Sequence, residues 1–184
     1  MMVKSNVVSI LRELEQAANL LSEKELTEAM LLLAEASQVF VAGAGRSGLM
    51  GRSFAMRLAH LGVPTFVVGE TTTPPIRKGD VLVLCTGSGE TKSLLSMAQK
   101  AKSLGASVVV LTIHKQSSIG QLADVAIQIH AAAKEDEGER KSIQPMGSLF
   151  EQSLIITLDG IILSLMKKMN QDTGAMFQRH ANLE

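Results

Sequence analysis

Two apolar runs in this chain, Val39 to Ala42 and Val81 to Cys85, each end in a glycine-rich turn, and each turn opens a stretch of helical periodicity. The first turn reads Gly43-Ala-Gly-Arg-Ser-Gly48 and the second Thr86-Gly-Ser-Gly-Glu-Thr91. Strand, tight turn, helix, twice over, leaves few folds open. Glycine lets backbone amides come close to an anion, and a helix N-terminus adds about half a positive charge at the same place. Ser47, Ser88 and Thr91 are small hydroxyl donors placed in or beside these turns. The pattern implies a pocket that grips a phosphorylated molecule.

The rest of the chain extends the alternation. Val7, Val8, Ile10, Leu11, Leu14, Ala17, Ala18 and Leu21 form a helical stripe over residues 5–21, and Ser22 with Glu25 fits a capping box opening a second helix to about Ala36. Strands are then expected at 38–42, 64–68, 81–85, 107–112 and 125–129, with helices at 46–61, 91–104 and 147–169. Gly62 and Gly105 follow two of those helices, where a left-handed C-cap is needed. Runs such as VLVLC and VVVLT are continuously apolar, as in strands covered on both faces, and the alternation implies right-handed crossovers. The expected fold class is therefore α/β: a three-layer αβα sandwich on a five-stranded parallel sheet, in one domain over 1–184, with N-terminal helices at about 5–36, a core at about 37–169 and a tail at 170–184. Ligands in such sheets bind beyond the strand C-termini, where both glycine turns fall.

Lysine plus arginine equals aspartate plus glutamate, 18 against 18, which speaks against a nucleic-acid or membrane-surface protein. Cys85 is the single cysteine and has no intrachain disulfide partner. Arg12, Glu13 and Glu15 interrupt any secretory apolar core, and Ser153 to Met166 is short for a bilayer and carries Asp159, so a soluble, cytoplasmic protein is expected. There is no Trp or Tyr, and the apolar share is 46%, which suggests apolar surface buried between subunits.

Several positions carry competing readings. Gly43, Gly45 and Gly48 with Glu70 come close to the dinucleotide fingerprint, but the chain shows no separate substrate domain, and that reading leaves the second turn without a role. The second turn is not a Walker A loop, for want of its lysine, although Ser and Thr before a helix are also ordinary N-caps. Glu151 falls in the first turn of the long helix, where the macrodipole favours a carboxylate. The alternative is a general base in an apolar setting made by Leu149, Phe150, Leu154 and Ile155. His60 reads as a C-terminal capping cation, and the tail around His180 as a polar segment, disordered unless it docks on a neighbouring subunit. Cys85 reads as a small core residue. Four scattered histidines and one cysteine give no metal-ligand spacing. The charged run Lys134 to Lys141 reads as a solvated loop, with a lid as the alternative.

The two glycine turns and the helical glutamate after the fifth strand resemble the sugar isomerase (SIS) domain. Phe54-Ala-Met-Arg-Leu-Ala-His-Leu-Gly62, Val68-Gly-Glu-Thr-Thr-Thr-Pro74, Gln144-Pro-Met-Gly-Ser-Leu-Phe-Glu-Gln152 and Arg179-His-Ala-Asn-Leu-Glu184 narrow the resemblance to the 6-phospho-3-hexuloisomerases. That resemblance implies isomerisation of D-arabino-3-hexulose 6-phosphate and fructose 6-phosphate in formaldehyde fixation, without a cofactor, by a homotetramer with sites near subunit interfaces. It implies Glu151 as the proton acceptor and His180 as a second catalytic group reaching a partner's pocket, with His60 a further candidate. Arg46 and Ser47, and the second turn from Thr86 through Gly87, Ser88, Gly89 and Glu90 to Thr91, would hold the sugar and its phosphate. Two alternatives stand beside it, a sibling isomerase acting on a pentose phosphate and a non-catalytic sugar-phosphate sensor. Against a DNA-reading partner for the latter, Lys4, Arg12 and Lys24 are outnumbered by glutamates in the first 36 residues.

Overall fold

The computed structural model describes residues 2–131 and 142–183; the charged run 134–141 lies outside them. Helices α1 (Val3–Ala18) and α2 (Glu23–Glu35) lead into strand β1 (Val39–Gly43), helix α3 (Gly45–Leu61) and strand β2 (Thr65–Val67). Strand β3 (Val81–Cys85), helix α4 (Lys92–Ser103), strand β4 (Ser107–Thr112), helix α5 (Ser118–Leu122) and strand β5 (Val125–Gln128) follow. Helices α6 (Ser148–Lys168) and α7 (Thr173–Phe177) complete the order.

The five strands form one parallel sheet in the order β2-β1-β3-β4-β5. The period of two along each strand divides the apolar residues between its faces. Val39, Val41, Val83, Cys85, Val109 and Leu111 join a core with α2, α3 and α6, whereas Phe40, Ala42, Leu82, Leu84, Val108 and Val110 join another with α4 and α5. Phe54, Leu58, Phe150 and Leu154 anchor α3 and α6 in the first core at 2% exposure or less. Each such side chain contributes about 1.5–3 kcal/mol on burial. Although α6 is long and apolar enough by composition to cross a membrane, half of its apolar window is buried in this core.

The chain leaves β1 toward β2 on one side and returns to β3 on the other. Strand order therefore reverses between β1 and β3, and a crevice opens beyond their C-terminal ends. Both glycine turns lie there.

Three expectations are refined. Ser22 Oγ accepts the Glu25 N–H at 3.4 Å, but the Glu25 carboxylate turns away from the cap to the Lys115 ammonium and the Gln128 N–H, which belongs to the edge strand β5. Residues 113–124, expected as a turn, contain α5, capped by Ser117 Oγ on the Gly120 N–H at 3.2 Å. The tail docks on its own chain: Met176 of α7 packs against the first core, and the Arg179 guanidinium donates to His60 O at the C-terminal end of α3, 3.2 Å away.

Candidate active site

Three helix N-termini meet in the crevice. Those of α3, α4 and α6 carry no side-chain capping bond, whereas α2, α5 and α7 are capped by Ser22, Ser117 and Asp172. First-turn amides around the crevice thus keep their capacity for an anionic oxygen, and three macrodipoles add to it. The resulting cleft has a volume of about 750 Å³ and is lined by Ala44, Gly45, Ser47, Cys85, Thr86, Gly87, Ser88, Glu90, Thr91, Leu94, Ile113, His114, Gly147, Phe150 and Glu151.

The first turn is tight because two glycines touch. A Cβ on Gly48 would stand 2.5 Å from the Gly43 carbonyl oxygen, so neither position admits a side chain without moving β1 from α3. In the second turn Gly89 has φ +67°, and a Cβ there would lie 1.9 Å from Ser117 Oγ. The hydroxyls of this turn hold it in shape. Thr86 Oγ1 accepts the Gly89 N–H at 3.2 Å and Ser88 Oγ accepts the Glu90 N–H at 3.2 Å. A hydroxyl that accepts from an amide keeps its own proton to donate outward. From β4, Thr112 Oγ1 donates to Gly87 O at 3.1 Å and accepts the His114 N–H at 3.2 Å, which fixes the turn to the sheet.

The Glu90 carboxylate is tied to the start of α5. It accepts the Ser118 N–H at 2.7 Å, and that backbone bond, with the Ser118 hydroxyl, holds its carboxyl below the usual range.

Glu151 stands in the first turn of α6 at 8% exposure. The Arg46 guanidinium reaches it from the first glycine turn, donating to Oε2 at 2.9 Å and to Ser148 Oγ at 3.1 Å. The apolar surroundings expected from Phe150 and Leu154 are present, since both are buried, but a counter-ion accompanies them.

His60 and His180 do not line the cleft of their own chain. They sit at the other end of α3, with ring centroids 5.2 Å apart. A helix of 17 residues is roughly 25 Å long, so α3 separates them from Ser47 by nearly its whole length. Gly62, with φ +88°, makes the left-handed cap of α3, and burial, then the charges of Arg57 and His180, push the pKa of His60 down. Burial pushes the Cys85 thiol up to about 12, which keeps it a neutral core group.

His114, Ile113 and Gly147 line the cleft without having been expected there. The signal for His114 was available in its place just beyond the C-terminal end of β4, the edge at which such sheets bind ligands.

A parallel sheet of this order, with uncapped helix N-termini around its switch point, defines an α/β domain with a site for an anionic ligand, and the chain belongs to the SIS domain family, which it matches over residues 32–156. It is 49% identical over 179 residues to the 3-hexulose-6-phosphate isomerase of Bacillus subtilis strain 168, spanning 97% of each chain. Over 181 residues it is 39% identical to the 3-hexulose-6-phosphate isomerase of Mycobacterium gastri, which covers 98% of this chain and 91% of that one. A solved structure of a hypothetical protein from Methanococcus jannaschii, for which that same isomerase function was inferred, superposes over 100% of both chains with a TM-score of 0.82 and 33% identity.

Proposed function

We propose that the protein is a sugar-phosphate isomerase that interconverts D-arabino-3-hexulose 6-phosphate and D-fructose 6-phosphate, with Glu151 as the base. The observation that carries the reading is a carboxylate at 8% exposure in the wall of a cleft that also holds the hydroxyl-rich turn Thr86 to Thr91. Full-length similarity to named isomerases of this substrate supports it.

Moving the ketone from C3 to C2 breaks the C2–H bond. Its electron pair becomes the C2–C3 double bond, and the former carbonyl oxygen takes a proton to give the cis-enediol. Loss of the proton on O2 re-forms a carbonyl at C2, and the carbon-bound proton is delivered to C3. Neighbouring carbons of a cis-enediol present the same face, so Glu151 performs both carbon transfers. Arg46, bound to Glu151 before substrate arrives, is a cation at hand for the oxygen charge that develops between them. The phosphate, held by the Ser88 to Thr91 turn with Ser47 at the sugar or phosphate end, orients carbons that lie several bonds away.

The reading includes a cytoplasmic homotetramer working in formaldehyde fixation by the ribulose monophosphate pathway. Val3, Val7 and Leu11 on α1, Leu49 and Met56 on α3, and Ile156 and Leu163 on α6 are exposed apolar residues on helix faces, and they support burial between subunits. The deciding assay supplies 3-hexulose 6-phosphate and follows fructose 6-phosphate through a coupled NADPH-forming reaction, with arabinose 5-phosphate alongside. Turnover of the hexulose alone is expected. Turnover of the pentose alone replaces the substrate, and saturable binding without turnover replaces the enzyme by a sensor.

A further inference from the structure

A carboxylate outside the cleft holds the segment from which the base springs. Glu13 lies on α1, which packs against α6 and falls outside the matched residues 32–156. Its two oxygens accept three hydrogen bonds from one short stretch: Ser142 Oγ at 2.8 Å, the Ile143 N–H at 2.8 Å and Gln144 Nε2 at 3.0 Å. Ser142 Oγ in turn accepts the Gln144 N–H at 3.0 Å, which closes the stretch into a turn. Gln144 is buried, so its amide depends on this partner.

Only Pro145, Met146 and Gly147 separate that turn from α6. The Ser148 N–H donates to Pro145 O at 3.2 Å and the Glu151 N–H to Gly147 O at 3.0 Å, so a second turn, directly following Gln144 in the chain, leads from the clamped stretch into the first coil of α6. Met146 is left-handed, with φ +55°. A residue with a Cβ keeps that conformation only where the structure on both sides fixes it. Here α6 fixes one side and Glu13 the other.

We propose that Glu13 is a positioning residue for proton transfer: by clamping Ser142 to Gln144 it sets where the first turn of α6, and with it the Glu151 carboxylate, stands against the substrate. The proposal rests on the reading of Glu151 as the base. Hydrogen bonding to Glu13 outweighs the upward push of its burial and keeps its carboxyl below the ordinary value of 4.5, in keeping with a clamp that works as an anion. A displacement of about 1 Å at a reacting group costs as much as a hundredfold in rate, so a small shift of the clamp suffices.

The test compares Glu13→Ala, Glu13→Gln, Glu151→Gln and the Glu13→Ala/Glu151→Gln pair in the full chain, with 3-hexulose 6-phosphate as substrate and inorganic phosphate as the binding probe. Glu13→Ala is expected to lower kcat roughly 10- to 100-fold with KM and phosphate affinity within about twofold. Glu13→Gln keeps an acceptor for the Ile143 N–H, and a turn of the Gln144 amide meets its new NH₂, so it recovers a large part of the rate. In the Glu151→Gln background, Glu13→Ala adds no further loss, because what it positions is gone. A folded Glu13→Ala with native kcat, or one that loses as much in the Glu151→Gln background as in the wild type, overturns the clamp. If Glu13→Ala does not fold, the same comparisons on Glu13→Gln decide. Native turnover by Glu151→Gln instead removes the base, and the clamp falls with it; an inactive Glu151→Gln beside an unaffected Glu13 variant removes the clamp alone.

Discussion

A base that takes a proton from carbon must be ionised, aimed and free to move, and Glu151 begins with its Oε2 bound to Arg46 at 2.9 Å. Glu151→Gln tests the chemistry with little disturbance of the geometry, because the amide oxygen still accepts from Arg46. We expect kcat to fall roughly 10²- to 10⁴-fold with KM little changed, the range for loss of a general base. Steady-state rates at saturating 3-hexulose 6-phosphate decide it, and a variant turning over at the native rate takes Glu151 out of the reaction. At this scale the sequence was informative about residue types and silent about partners. Ser47, Thr86, Ser88 and Thr91 were legible because turn chemistry is local. The Arg46–Glu151 pair spans 105 positions and the Glu13–Gln144 bond 131, and no local pattern records either. Gly62 was legible as the left-handed cap, whereas the burial of His60 two positions earlier comes from distant packing that no local pattern records.

Elements were legible where their apolar pattern was long. Strands β3 and β4 match the expected 81–85 and 107–112, since an uninterrupted apolar run bounded by glycine or polar turns admits little else. Strand β2 shrinks to three residues at the sheet edge, and the five-residue helices α5 and α7 are too short to show a helical period. The second glycine turn, read as an anion cradle, is an element whose parts can be removed singly. Ser88→Ala deletes both the acceptor for the Glu90 N–H and the hydroxyl proposed to donate to phosphate. A net hydrogen bond to a charged group is worth about 1.5–3 kcal/mol, so KM for the phosphorylated sugar is expected to rise about 10-fold or more, with kcat less affected. An unchanged KM separates this turn from the phosphate.

For the molecule as a whole, pH and assembly are the remaining levers. The folded-state carboxyls of Glu13 and Glu90 both lie below the ordinary value of 4.5. A depressed carboxyl contributes stability that is complete above its unfolded value and is lost as pH falls through the folded one. Thermal unfolding should therefore show a wild-type advantage over Glu13→Gln that is constant from neutral pH to about 5 and shrinks below 4.5; an advantage that grows on acidification contradicts the clamp's charge. Assembly bears on His180, which is exposed at the end of α3 remote from its own cleft. The docked tail leaves it roughly 20 Å along α3 from Ser47, so a catalytic part for it is proposed on a neighbour rather than in its own cleft. Deleting residues 179–184 should then abolish most activity while leaving the far-ultraviolet spectrum native. Mixing that truncated chain with Glu151→Gln subunits sharpens the test, because each inactive chain supplies what the other lacks. Clefts with an intact Glu151 and a borrowed tail appear only if the tail crosses between subunits, and activity returns on mixing. Two inactive chains that stay inactive together, in oligomers shown to exchange, place the tail's action within its own chain, and full activity of the truncated chain alone removes His180 from the chemistry.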